Sequence, residues 1–344
     1  MGRMFQGVVK IELSVCHCRI IPINSQITLC KPRNVRAALQ KSIVSALSFD
    51  GVGLHSGKRA QVTILPAPVD HGIVFYRIDQ PANKNTIPAK WDKVEQTPLC
   101  TRLVNAHGVS ITTVEHVMAA LVGCGINNAK IEINGPEIPI LDGSSAQFVW
   151  GILSRGVKSL DRPITALRML KPVEVKKGGA WARLSPHKAL LIEFSIEFED
   201  TAIGTQKKLL NMSNGSFIRE LCNSRTFCRK ADIDRMHANE MALGGTFENA
   251  VVVDGANILS PGGLRHSDEA VRHKMLDVFG DLGLVGAPLL GHYQGFCAGH
   301  SLTNELLRAT FTDPANYELV VCDAEMAACL PGAGVQRNEF PNVA

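Results

Sequence analysis

The stretch VRHKMLDVFGDL places His273, Asp277 and Asp281 four residues apart. On an α-helix four residues advance about 400°, so each side chain falls about 40° round from the one before. One face then presents an imidazole and two carboxylates, either as a solvated polar stripe or as the wall of a reactive site. His and Asp at i and i+4 can reach one metal ion from a single helix. A third ligand from elsewhere would leave a fourth position open, the arrangement of catalytic zinc. His116, in TTVEH, is the candidate third ligand, with Glu115 directly before it. The same five residues have a competing reading. Thr112 and Glu115 have the S/T-x-x-E spacing of a capping box, and taken alone that spacing favours a cap over catalysis.

His300, in CAGHSL, sits between a β-type segment and a helical one, with glycine beside it. It could be an ordinary first-turn residue. A histidine beyond the metal is also what amide hydrolysis calls for, because the oxyanion must be stabilised and the amine must leave protonated. Asp281 would then orient that ring.

The 344-residue chain is 45% hydrophobic and 20% charged, values of a globular protein with ample core and room for two domains. A net charge of +4, without a long basic run or an aromatic-basic platform, argues against nucleic acid and is compatible with a small anionic ligand. Apolar runs such as ALLIEF and LGLVGAPLLG fall far short of the ~20 residues that span a bilayer, so no membrane insertion is expected. Ten cysteines are scattered without a C-x-x-C pair, which points to buried free thiols in a reducing compartment. The CHC triplet at 16–18 is unsupported by further ligands, and no zinc site is expected there. Residues 1–38 are basic, with Glu12 their single acid, and read as a poorly ordered extension without an apolar signal core.

The elements that must position these groups alternate between two periods. Short β-rich runs (AQVTIL, GIVFYRI, TRLVN, VSITT) precede a helix at TTVEHVMAALVGCG, a strand at AKIEING and a second helix at SAQFVWGILSRG. A polar link, VKSLDRPITALR, leads to strands at PVEVKK, WARLSP, ALLIEFSIEF and NAVVVDG, and to helices at GSFIRELCN, DIDRMHANEMA, SDEAVRHKMLDVFGDLGLVG and LTNELLRATF. Strands followed by helices, twice over, suit an α+β fold better than a doubly wound parallel sheet. No G-x-G-x-x-G or P-loop run occurs.

Four blocks together resemble the UDP-3-O-acyl-N-acetylglucosamine deacetylases, the zinc amidases of lipid A biosynthesis. They are GVGLHSGK, TVEHVMAALVGCGINN, EIPILDGSSAQFV, and the series from SRTFCRKADI and LGGTFENAVVVD through LRHSDEAVRHKMLDVFGDL to GHSLTNELL, covering roughly 40–312. The resemblance implies His116, His273 and Asp277 as ligands of Zn2+, Glu115 as general base, His300 as electrostatic and acid partner, and Asp281 behind it. It also implies that Thr226 holds the carbonyl oxygen, that Lys274 meets the nucleotide phosphates and that Phe227 packs on the substrate. The implied fold is two similar α/β sandwich domains, at 39–160 and 165–325, each with helices on a small sheet and an insert, followed by a tail at 326–344. The second insert, about 227–255, would form an apolar passage for an acyl chain lined by Ile233, Phe247, Ala250 and Val252. A cytoplasmic monomer acting on acylated UDP-N-acetylglucosamine is implied. His55 and Cys100 fall beside the implied active site, although a turn histidine and a buried thiol are equally good readings of them. Arg229 and Lys230 depart from the family pattern, which has apolar residues there, and so leave chain-length preference open.

Overall fold

The structure is a computed structural model that describes residues 37–336, 338 and 339. Residues 1–36 of the basic extension, with the CHC triplet, lie outside the described residues, whereas Ala38 donates its amide to the Cys322 carbonyl and accepts from the Ile164 amide.

The first half is built on a five-stranded sheet ordered Leu47–Val52, Arg59–Pro66, Ala129–Ile133, Ile73–Arg77, Thr86–Pro88. Alternation decides which face is covered: Val62 and Ile64 pair in register with Ile133 and Ile131, and all four are buried. Two helices cover that face, α1 (Glu115–Gly123) and α2 (Ala146–Arg155). Helix α2 lies close because Gly151 has no side chain; a Cβ there would fall 2.6 Å from the Phe49 ring. Phe49 instead meets Phe148 edge-on at 4.8 Å.

The second half centres on strand Leu289–Phe296. It is paired on one edge by Leu190–Glu197, which also pairs Thr205–Asn211, and on the other by Ala180–Ser185 and Thr165–Met169. Strands Val173–Lys177 and Tyr317–Val321 complete the seven. Leu190, Ile192, Phe194 and Ile196 alternate inward, the period expected of ALLIEFSIEF. Helices α4 (Glu269–Leu282) and α5 (His300–Thr312) cover this face, and one hydrophobic core runs from Ile64 and Phe148 to Phe194 and Tyr293.

Each half carries a small three-stranded sheet: Val94–Glu95, Arg102–Val104 and Ser110–Ile111 in the first, and Phe227–Arg229, Val251–Asp254 and Asn257–Ile258 in the second. The latter also carries α3 (Lys230–Ala238). The α+β expectation holds. Two local readings do not. VKSLDRPITALR is no link but two strands, Val157–Pro163 paired to Leu39–Ile43 and Thr165–Met169 in the large sheet; its polar residues face outward, which hid the alternation. GSFIRELCN forms only a π-helical turn, Phe217–Leu221, whose Phe217 ring stacks on Phe279 at 4.9 Å.

The halves meet where α1 crosses α4. A Cβ at Gly280 would sit 2.1 Å from the Glu115 carbonyl oxygen, and one at Gly283 would sit 2.8 Å from Val122 Cγ2. Glycine at these positions lets the backbones approach. Gly280→Ala must therefore push the helices apart, at a cost of about 1–3 kcal/mol from overpacking. A thermal melt is expected to shift downward by about 2–4 °C per kcal/mol, and an unchanged melting temperature would contradict the crossing.

Candidate metal centre and active site

Helix α1 begins at an unusual turn. Thr113 is β-branched yet has φ +59°, a left-handed conformation that costs on the order of 1–3 kcal/mol. Its hydroxyl donates to Glu137 Oε1 at 2.9 Å, and the same carboxylate accepts the backbone N–H groups of His55 and Ser56, each at 2.8 Å. Glu137, 1% exposed, thus fixes the start of α1 to the 53–58 loop. The capping box is absent. The Thr112 hydroxyl donates to the Pro136 carbonyl at 3.3 Å, and Glu115 Oε2 accepts from the Thr101 amide at 3.0 Å. Burial explains the difference, because a cap carboxylate folds back at the surface and Glu115 faces the α4 crossing.

That crossing brings His116 of α1 onto the face of α4 that carries His273 and Asp277. All three are buried, so the polar stripe is an interior wall and not a solvated surface. His273 Nδ1 lies 3.0 Å from the Ser224 carbonyl, which can only accept, so Nδ1 carries the proton and Nε2 is bare. Burial, above all, pushes the His273 pKa down to about 4 and keeps the ring neutral, as a metal ligand must be. The bare Nε2 lies 3.3 Å from Asp277 Oδ1, and His116 Nε2 lies 3.6 Å from the same oxygen. Bonds of roughly 2.0–2.1 Å at tetrahedral angles separate ligand atoms by about 3.4 Å. Among the described residues, Asp277 Oδ1 and His116 Nδ1 have no hydrogen-bond partner. An unpaired buried carboxylate oxygen facing a neutral imidazole is costly unless a cation joins them. Among the described residues this is the one group of three or more His, Cys, Asp or Glu side chains whose donor atoms all lie within 4.8 Å of one another. The donors fit a metal ion.

A second cluster adjoins it. His300, the first residue of α5, presents Nδ1 to Asp281 Oδ2 at 2.8 Å, while its Nε2 lies 3.8 Å from both Glu115 Oε1 and Asp277 Oδ2. Burial alone would lower the His300 pKa, but the Asp281 and Glu115 charges outweigh it and raise it to about 9. Burial raises the Glu115 pKa, opposed by His300 and His116. A carboxyl held above its usual range beside an imidazolium is suited to take a proton while its neighbour gives one.

Lys274 is partly buried. Burial disfavours the Asp277 charge, but the Lys274 ammonium, whose Nζ donates to Asp277 Oδ2 at 2.6 Å, helps hold the Asp277 pKa well below the usual range. The Phe227 ring meets His273 edge-on at 6.3 Å. Thr226, the residue before it, is half-buried between Gly143, whose carbonyl accepts its amide, and Val251. Ala250 and Val252 are buried at the insert strand, Ile233 is half-buried on α3, and Phe247 is 46% exposed. Burial, above all, lowers the His55 pKa, and among the described residues its Nε2 has no hydrogen-bond partner. Burial drives the Cys100 thiol up to about 12, which makes it inert. Two residues escaped the sequence reading: Glu137 and Thr101. Nothing local marks either, since each acts on groups distant in the chain.

The family model described as LpxC, UDP-3-O-acyl N-acetylglycosamine deacetylase, matches residues 40–312. The chain belongs to this family. It is 42% identical over 302 residues to the UDP-3-O-acyl-N-acetylglucosamine deacetylase of Shewanella oneidensis, covering 86% of this chain and 98% of that one. The enzyme of the same name from Shewanella frigidimarina is 42% identical over 301 residues, with the same coverage. That of Shewanella sp. W3-18-1 is 43% identical over 289 residues, covering 83% and 94%. Arg229 and Lys230, expected from the sequence to depart from the family pattern, both lie at the start of the second insert. Neither cation is unpaired: Arg229 bonds Asp200 and lies 3.6 Å from Glu199, and Lys230 bonds Asp254 at 2.9 Å.

Two outcomes are expected. Asp277→Ala removes the donor that faces both imidazoles, so metal content measured by plasma emission should fall from about one equivalent to near zero; retained metal would place the ion elsewhere. In an NMR titration of the metal-free protein, His300 should stay doubly protonated until pH rises through about 9, and a midpoint near the ordinary 6.5 would contradict the carboxylate pairing.

Proposed function

We propose that this chain hydrolyses the N-acetyl group of UDP-3-O-(3-hydroxyacyl)-N-acetylglucosamine, giving acetate and the free 2-amine, the committed step of lipid A biosynthesis, with zinc held by His116, His273 and Asp277. The observation that carries the reading is the adjacency of unpaired metal donors to a Glu115–His300 pair whose facing atoms lie 3.8 Å apart. Among the described residues no helix is long and apolar enough to cross a membrane.

Zinc at these donors supplies Lewis acidity, which makes water a usable nucleophile near neutral pH and polarises an amide carbonyl. The protein's own groups move the protons. Glu115 Oε1, its other oxygen held by the Thr101 amide, takes a proton from the attacking water. His300, kept doubly protonated by Asp281, presents Nε2–H to the oxyanion that develops as the C–O bond forms. The same proton passes to the nitrogen as the C–N bond breaks, so the amine leaves neutral. The Thr226 hydroxyl donates to the carbonyl oxygen. Lys274, with its side chain one-fifth exposed, meets the phosphates, and Phe227 packs on the sugar. Ile233, Phe247, Ala250 and Val252 line the acyl passage.

Mass-spectrometric deacetylation of the acylated sugar nucleotide, before and after chelation and zinc add-back, tests the reading. Zinc-restored acetate release is expected, and Glu115→Ala should keep its zinc while losing about 10²–10⁴-fold in kcat. Release from the non-acylated sugar nucleotide at an equal rate would remove the acyl passage from the account.

A further inference from the structure

We propose that Thr101 is a positioning residue that couples the proton-accepting arm of the site to the proton-donating arm. The inference rests on the reading of Glu115 as base and His300 as acid. Thr101 is 2% exposed and immediately precedes strand Arg102–Val104, so it reaches the site from the small sheet of the first half and not from α1, α4 or α5.

Each of its polar atoms is committed. The amide donates to Glu115 Oε2 at 3.0 Å, and the carbonyl accepts the Val114 amide at 3.4 Å, so Thr101 grips the beginning of α1 twice. With Oε2 engaged, Oε1 is the oxygen left to face His300 Nε2. The hydroxyl donates to Asp281 Oδ1 at 2.5 Å and lies 3.2 Å from His300 Nδ1. A hydroxyl has one hydrogen, and a carboxylate only accepts, so the hydrogen goes to Asp281. What remains towards His300 is a lone pair. Nδ1 therefore faces two acceptors, Thr101 Oγ1 and Asp281 Oδ2, and must carry a proton. That assigns Nε2 as the atom that hands its proton on. Among the described residues no hydrogen bond joins Thr101 to His116, His273 or Asp277, so its influence passes through Glu115, Asp281 and His300.

Thr101→Val keeps the shape and the amide but removes the hydroxyl, whereas Thr101→Ser keeps the hydroxyl and removes only the methyl. Steady-state kinetics, zinc content and the ring ¹H–¹⁵N spectrum of His300 in metal-free protein separate the possibilities. The valine variant should lose about 10–100-fold in kcat through misplaced proton donor and acceptor, with KM within about twofold and zinc content unchanged. Its low-field His300 Nδ1–H signal should shift or vanish, and serine should restore both kcat and the signal. Should valine not fold, Thr101→Ala set against serine gives the same comparison. Wild-type kcat with an unmoved His300 signal in the valine variant would overturn the proposal, as would equal losses in valine and serine, which would assign the effect to the methyl group. If the unaltered protein does not deacetylate, the functional reading fails, and the spectrum of the metal-free variants still decides whether Thr101 holds His300.

Discussion

Everything at the site depends on how closely α1 and α4 can approach. The Glu115 carbonyl lies where a side chain at Gly280 would begin, so only glycine permits the crossing. The consequence reaches beyond packing, because Glu115 and His116 are the first two residues of α1 while His273, Asp277 and Asp281 lie on the facing side of α4. A wider crossing would separate the imidazole of one helix from the imidazole and carboxylate of the other by more than one ion can bridge. The crossing also has to be steered. The left-handed turn at Thr113, tied through Glu137 to the 53–58 loop, sets the direction in which α1 leaves, and α5 enters from the large sheet with His300 at its tip.

Buried charge is the second constraint. Glu115, His116, His273, Asp277, Asp281 and His300 are each less than a tenth exposed, an expensive arrangement unless every group has a partner. The partners sort into two sets. Asp281 answers His300, and Thr101 bonds to both Asp281 and Glu115. Among the described residues Asp277 Oδ1 has no hydrogen-bond partner and faces the Nε2 atoms of His116 and His273, which is where a cation resolves the cost. Closure by protein hydrogen bonds on one side and converging metal donors on the other is what distinguishes the proton-handling part of the cluster from the metal-holding part.

Much of this was legible in the sequence because it was local. The i, i+4 spacing of His273, Asp277 and Asp281 placed three polar groups on one face, and alternation in ALLIEFSIEF gave a half-buried strand. Burial of that helical face could not be read locally, since a solvated stripe has the same spacing. The capping-box reading of TTVEH failed for the same reason: the motif is local, but Glu115 is drawn away by Thr101, fourteen residues earlier. VKSLDRPITALR hid two strands because outward-facing polar residues interrupt the apolar pattern. Thr101 itself carried no signal, because its hydroxyl acts on Asp281, 180 residues away.

The most direct test of the account is anomalous diffraction at the zinc edge from crystals of the zinc-loaded protein. The account predicts one strong peak within roughly 2.0–2.2 Å of His116 Nε2, His273 Nε2 and an Asp277 carboxylate oxygen. A peak bound by other side chains, or none with zinc in excess, would contradict it.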